Sequence, residues 1–501
     1  MYSLITKLPE AARFRRITSR CLRYSLSLAL GGLTFLSIAC MVGPKYQRPS
    51  APVPAVYKEL SPPDSAQANV WKQAQPGDGV ARGKWWEIYN DPDLNALEEQ
   101  VTISNQNILA AEAQFRAARD AVRIARSSLF PTAGVALSYT NARTSATGQR
   151  NTYDLPVDIS YQADVWGSIR RTVRGSAESA QVTAAQLENV RLVLQAALAQ
   201  DYFELHGVDG EQALLERTVK SYEEYLRLTK DRFASGVASG ADVAQAETQL
   251  KSAQAQLIDL GVARAQLEHA IAILVGKPPA DVTIPSTPIK SPPPPVPVGV
   301  PSDLLQRRPD IAAAERQMAV ANEQIGMSKA AFFPTVLLTG AAGFQSGRFM
   351  DWFTWPSRLW SVGPQVAETV FDAGRRRAQS DLARSAFDAS TASYRQTVLT
   401  SFQQVEDNLA ALRVLANEAR AEDDAVRAAQ QSLDVSTYQY KAGVASYLQV
   451  ITAQTIALQN QVTAVNILTR RMVASVLLIE ALGGGWDAST LPTEQNLVHG
   501  R

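Results

Sequence analysis

The chain has 501 residues, of which 46% are hydrophobic, and its 49 Lys plus Arg nearly balance 48 Asp plus Glu. That balance argues against nucleic acid as a partner. Two Cys and three His are too few and too scattered for a disulfide framework or a clustered metal centre.

Residues 1–39 read as an export signal. Arg13, Arg15, Arg16, Arg20 and Arg23 form a basic region, and Ser25 to Ala39 form an apolar run of 15 residues, short for a membrane span and ending in small side chains. Cys40 follows at once, in Leu36-Ser37-Ile38-Ala39-Cys40. This is the shape of a bacterial lipoprotein cleavage box, with Ser37 where a branched aliphatic is usual. Acylation of Cys40 is the expectation, and an ordinary signal cleaved after Ala39 is the alternative. Met41 lacks the acidic character associated with inner-membrane retention, which directs the expectation to the outer membrane. No later apolar run of 18 residues predicts a transmembrane helix.

Residues 40–90 form a Pro-rich arm without periodicity, expected to be extended and draped over other surfaces. Trp85-Trp86 and Asp91-Pro92 then announce a helix, with Asp91 as N-cap and Pro92 in its first turn, running to about Ser128. From Tyr153 to Val165 apolar and polar residues alternate strictly. Tyr153, Leu155, Val157, Ile159, Tyr161 and Val165 oppose Asp154, Asp158, Ser160, Gln162 and Asp164, which predicts a strand with one apolar and one polar face. Val135, Leu137 and Tyr139 supply a shorter partner. A soluble sheet would pattern the same way.

Helical pattern takes over from Gly167 to about Phe233, and Gly207 and Gly210 do not interrupt the reading of one continuous helix. The next helix has a clean register of threes and fours through Val243, Ala246, Leu250, Ala253, Leu257, Leu260, Arg264, Leu267, Ile271 and Leu274, which means coiled-coil contact. The rest of the chain repeats this plan. Phe233-Ala234-Ser235-Gly236-Val237-Ala238-Ser239 returns at an offset of 207 as Tyr440-Lys441-Ala442-Gly443-Val444-Ala445-Ser446, and Leu129-Phe130-Pro131-Thr132 returns at an offset of 203 as Phe332-Phe333-Pro334-Thr335. Arg264 returns as Arg471, so an arginine sits on the seam in both copies. Snorkelling, an inter-helix ion pair and a lumen lining all remain open for the two.

The division that follows has a first repeat at 91–277, with a hairpin at 132–165 and helices at 168–233 and 242–275. A Pro-rich linker covers 278–309. The second repeat, 310–484, has a hairpin at 335–371 (strands Thr335 to Phe344 and Trp360 to Phe371) and helices at 374–440 and 448–482, before a tail at 485–501. Four strands per chain cannot close a barrel, and open edges inside a bilayer would leave amides unpaired. If the strands span a membrane, copies must pool them, and 8, 12 or 16 strands are all closable. No residue reads as catalytic. Gly483-Gly484-Gly485 ends a helical pattern rather than opening one, and His206, His269 and His499 have no local Ser or Cys partner. No enzyme, metal or cofactor is therefore expected.

Three features carry a resemblance: Cys40-Met41-Val42-Gly43-Pro44-Lys45-Tyr46-Gln47-Arg48-Pro49, Trp85-Trp86 with Asp91-Pro92, and the doubled Gly-Val-Ala turns. Together they resemble the outer membrane efflux family, TolC-type channels, in the lipoprotein branch serving resistance-nodulation-division pumps. The resemblance covers about residues 40 to 490. It implies a mainly α fold with a membrane β-barrel: a homotrimer with a 12-strand barrel in the outer membrane, a coiled-coil helical barrel in the periplasm and a mixed equatorial belt. The implied function is a passive exit duct for drugs or other small toxic compounds, with a periplasmic adaptor and an inner membrane pump as partners. A lipid-anchored periplasmic scaffold, or a duct for type I protein secretion or heavy metals, are the competing readings.

The resemblance further implies that Gly236, Val237, Ala238 and Ser239, with Gly443, Val444, Ala445 and Ser446, are periplasmic tips docked by the adaptor. Asp242 and Tyr440 stand where the family keeps polar links between tips. Leu448 and Thr452 stand where related channels have an apolar ring and an acidic ring. Gln449 and Thr452 replace carboxylates there, so strong block by divalent cations is not expected.

Overall fold

The computed structural model describes residues 41–60, 83–145, 148–299 and 301–499; the leader and Cys40 lie outside the described residues. Asp91 caps helix α1 (Pro92–Ser104), its carboxylate accepting from the amides of Asp93 and Leu94. The single helix expected up to Ser128 is in fact two. Asn105 turns extended and its side-chain oxygen caps α2 (Gln106–Ser127), while its amide nitrogen donates to the Leu274 carbonyl at 2.8 Å. An Asn that offers the backbone a cap competes with helix continuation.

Strands β1 (Thr132–Val135) and β2 (Ser138–Thr144) both pair antiparallel with β3 (Gly148–Ala163). The interruption between β1 and β2 faces Pro156, which has no amide to donate; Ala136 instead donates to the Pro156 carbonyl at 3.3 Å. Beyond β3 lie β4 (Thr335–Ser346) and β5 (Arg358–Ala367), again antiparallel. β5 therefore starts two residues before Trp360 and stops at Ala367, short of Phe371. Gly343 passes so close to β3 that a Cβ would lie 2.1 Å from the Leu155 carbonyl oxygen. The sheet runs β1/β2, β3, β4, β5, and among the described residues its two outer edges find no partner strand.

The register sorts the apolar and polar side chains of β3 onto opposite faces. Tyr153, Leu155, Val157, Ile159 and Tyr161 pair with Ser346, Phe344, Ala342, Gly340 and Leu338, and those with Arg358, Trp360, Val362 and Pro364. The opposite face carries Asp154, Asp158, Ser160 and Gln162 against Gln345, Ala341, Thr339 and Leu337. The alternation expected through Val165 ends earlier. β3 stops at Ala163, and the Asp164 carboxylate accepts from the Ile169 and Arg170 amides at the start of the next helix instead of lining the polar face. Asp372 does the same for the Arg376 amide.

Helix α3 (Ser168–Ala234) and its counterpart α6 (Arg375–Lys441) each run 67 residues without a break, about 100 Å at ~1.5 Å per residue. Gly207 does not end α3. It lets α7 (Tyr447–Ala481) approach, since a Cβ there would lie 2.3 Å from the Thr469 hydroxyl. Helix α4 (Gly240–Leu274) packs on α3, and α7 packs on α6 and α3. α7 is long and apolar enough in composition to cross a membrane, yet Val450, Ile467, Val476 and Leu478 are buried against the other helices. The main core gathers where the repeats meet, around Trp85, Leu94, Ile108, Leu205, Ile271, Met318, Val405 and Leu478.

Residues 41–60 cross this surface as an extended strap. Tyr46 donates to Glu315 at 2.7 Å, and the amides of Lys58 and Glu59 donate to the Glu406 carboxylate. Arg171 on α3 donates to the Val42 and Pro44 carbonyls and, at 2.8 Å, to Glu323 on α5 (Pro309–Ala330). Arg171 and Glu323 are 1% and 4% exposed. Removing one member of such a pair strands a buried charge, so Glu323→Ala is expected to cost ~3–5 kcal/mol, read as a lower denaturant midpoint of the purified protein.

Candidate functional site: the helical tips

Two tight turns connect the long helices, α3 to α4 and α6 to α7, at the end remote from the sheet. In the first, Gly236 takes φ +72° and the amides of Val237 and Ala238 both donate to the Arg232 carbonyl. In the second, Gly443 takes φ +78° and Val444 donates to the Gln439 carbonyl. A side chain at either glycine would be strained by this left-handed backbone, which closes a helix within one residue.

The tips differ in how the next helix starts. Ser239 accepts from the Asp242 amide at 3.2 Å and Asp242 accepts from the Ser239 amide at 2.9 Å, a reciprocal capping box. At the equivalent place in the second tip stands Gln449, and among the described residues the Ser446 side chain makes no capping bond. The Asp242 carboxylate is thus engaged with its own turn rather than with Tyr440.

Tyr440 lies in a small core with Tyr222, Leu226, Leu250, Tyr447 and Val450. Its hydroxyl is 3.3 Å from that of Thr229, and the Arg232 guanidinium sits 4.7 Å from its ring centre while donating to its carbonyl at 3.1 Å. Burial pushes the nearby Tyr447 phenol well above its ordinary range. Higher up, Tyr225 and Thr437 share a hydrogen bond at 2.8 Å, and Gln249 donates to Tyr222 and to Thr455. Arg232 thus links the two tips of one chain and escaped the sequence reading. The available signal was a cation in the last turn of α3, which suits the carbonyl end of a helix.

Leu448, Gln449 and Thr452 lie on the exposed side of α7, opposite the buried Tyr447, Val450 and Ala453. The Thr452 hydroxyl donates to the Leu448 carbonyl at 2.9 Å. Val237 and Val444 are exposed at the two turn apices. The seam arginines separate. Arg264 donates to the buried Asp209 at 2.8 Å and to the Ile284 carbonyl at 2.7 Å, binding the inter-repeat linker to α3. Arg471 has Ala416 where the first copy has Asp209. Burial pulls its guanidinium below the usual range, with Asp423 acting in the opposite direction. Among the described residues no three His, Cys, Asp or Glu side chains converge as a metal site.

A family model described as outer membrane efflux protein matches residues 97–277 and 300–484. The chain belongs to that family. It is 30% identical over 475 residues to a probable efflux pump outer membrane protein, TtgC, of Pseudomonas putida, covering 92% of this chain and 96% of that one. It is 32% identical over 470 residues to the solvent efflux pump outer membrane protein SrpC of the same species, covering 92% and 97%. Among solved structures the outer-membrane channel OprN superposes with a TM-score of 0.82 at 27% identity, over 89% of this chain and all of that one. The protein is an outer-membrane efflux channel of the TolC type, and its family is one of transport components rather than enzymes.

The unequal caps make a direct prediction. Ser239→Ala removes a side-chain cap worth ~1 kcal/mol, roughly a fivefold change in local opening. Amide exchange across residues 237–243 is expected to accelerate by about that factor, whereas Ser446→Ala leaves residues 444–450 nearly unchanged.

Proposed function

We propose that three copies of this chain form a passive exit duct that small apolar or amphiphilic compounds follow out of the cell, driven by a pump in the inner membrane. The observation that carries this reading is the union, in one chain, of an open two-faced sheet with paired helices of about 100 Å. Such a sheet closes only by adding copies, and three give 12 strands when β1 and β2, which pair successive stretches of β3, count as one. The helices would then continue the closed barrel as a tube. The names of the relatives, which speak of efflux pumps and of solvents, support this class of cargo.

In that assembly the apolar face, with Val157 and Ile159, meets lipid and the Asp158 and Ser160 face meets the lumen. Cys40 is the acylated N-terminus, anchored beside the barrel. Gly236, Val237, Ala238 and Ser239, together with Gly443, Val444, Ala445 and Ser446, are the apices that a periplasmic adaptor grips. Leu448 narrows the axis, with Gln449 and Thr452 beside it. Asp242 contributes by stiffening its own turn, and Tyr440 by its hold on Arg232, so the closed state rests on contacts of about 1 kcal/mol each that adaptor binding can replace.

Planar-bilayer recording tests the proposal. Wild-type protein is expected to pass a small resting current that millimolar Mg2+ leaves unchanged, because the ring residues Gln449 and Thr452 carry no charge. Leu448→Ala combined with Arg232→Ala is expected to raise that current severalfold with the oligomer intact. Protein that never conducts would favour a periplasmic scaffold, and an unchanged current in the double variant would place the constriction elsewhere.

A further inference from the structure

The four connections to helices all leave one end of the sheet, so the loop between β4 and β5, residues 347–357, lies at the opposite end, which is the cell-exterior end in the assembly proposed above. Its sequence is Gly347-Arg348-Phe349-Met350-Asp351-Trp352-Phe353-Thr354-Trp355-Pro356-Ser357. A soluble loop of this length is mostly polar. Here Phe349, Met350, Phe353 and Trp355 are 64%, 87%, 62% and 75% exposed.

The loop is nevertheless ordered by contacts to one face of the sheet. Trp352 is buried and donates its indole N–H to the Phe344 carbonyl at 3.2 Å. Its ring packs 5.5 Å from that of Tyr153, which also meets Phe349 at 5.7 Å, and Phe353 meets Phe344 at 5.6 Å. Tyr153 and Phe344 both belong to the apolar face, the one that also carries Leu155, Val157 and Ile159. The exposed aromatic cluster therefore continues the apolar face upward instead of folding over the lumen.

Its height matches the edge of a bilayer. From Tyr161 to Tyr153 is eight residues, roughly 27 Å along a strand at ~3.4 Å per residue. At the tilt of about 35–45° usual for such barrels, this covers most of an apolar band of about 25 Å. The loop thus sits where acyl chains give way to headgroups. Cations frame it. Arg348 and Arg358 flank the aromatic residues, the Arg358 guanidinium stacks on the Trp355 ring, and Arg143 on β2 stands at the same end of the sheet. Among the described residues none of the three forms an ion pair, and Asp351 is the one acid in the loop.

We propose that this rim binds the outer-leaflet phosphoglycolipid. Phe349, Met350, Phe353 and Trp355 wedge among its acyl chains, and Arg348 and Arg358 hold its phosphates. Aromatic rings that are apolar on one side and wet on the other suit this boundary, and guanidinium groups pair with phosphate through two parallel donors. The inference rests on the outward orientation of the apolar face proposed above.

The test is native mass spectrometry of the purified, full-length assembly after exchange into mixed micelles with diphosphoryl lipid A, or with the same lipid stripped of phosphate. Wild type is expected to retain the diphosphoryl form at least about tenfold better than the stripped form, a preference that Arg348→Gln with Arg358→Gln abolishes. Millimolar inorganic phosphate should not compete, since the acyl chains hold the lipid in place. Equal retention of the two lipids by wild type would overturn the proposal even if the variant failed to assemble, and so would displacement by free phosphate. A parallel Val157→Cys label, read against unlabelled-site wild type, reports the sheet face through quenching by nitroxide-bearing lipid. Absence of quenching would overturn the orientation and the rim site together, whereas quenching with phosphate-indifferent retention would overturn the rim site alone.

Discussion

The unpaired edges of the sheet govern everything else in this molecule. β1 with β2 on one side and β5 on the other present backbone amides and carbonyls that no described strand satisfies. In water such edges invite aggregation; in hydrocarbon each unsatisfied group costs several kcal/mol. A sheet that aligns Leu155, Val157 and Ile159 with Phe344 and Val362 on one face suits hydrocarbon, and further copies of the chain would complete it. The helices inherit that symmetry, because α2 and α5 lead into strands and α3 and α6 lead out of them. At the junction, Trp166 of the first repeat stacks on Phe333 of the second and donates to the Pro334 carbonyl at 2.7 Å. This fixes the two hairpins to one another just below the membrane.

Duplication made the two halves alike, and the differences between them are where one half does something the other does not. Asp209 binds Arg264 and the Thr287 amide, tying the Pro-rich linker to α3, and the second copy has Ala416 in that place. Ser239 and Asp242 cap α4 reciprocally, whereas Ser446 and Gln449 leave the start of α7 looser. Arg232 reaches across to Tyr440, while its own counterpart is Gln439. The first tip thus carries a side-chain cap and a cross-link to its neighbour that the second does not reciprocate.

Periodicity made the large elements readable. The register of α4 reports its packing on α3, and the alternation from Tyr153 to Tyr161 reports two sheet faces of different chemistry, the apolar one left exposed at Val157 and Ile159 in the single chain. Gly207 sits inside α3 without ending it, and its purpose, admitting Thr469, needed three dimensions. Other features depend on a single side chain choosing a backbone partner. Asn105 splits a helix because its oxygen can reach two amides, and Asp164 leaves the polar face of β3 because the first turn of α3 offers it unpaired donors. Such choices have no period. The tip residues were located by the resemblance and the repeat. Their bonding was not foreseeable, since Arg232 and Tyr440 are far apart in sequence and meet only when α3 and α6 lie side by side.

Amide hydrogen exchange along β5 in the membrane-reconstituted protein tests the central claim most directly. Residues 358–367 form an outer strand in the isolated chain, and half of their backbone groups point away from β4. If copies close the barrel, those outward amides will be protected to the same degree as the amides of β4. Rapid exchange at the outward amides, with protection confined to those bonded to β4, would mean that the edge stays open and would contradict the account.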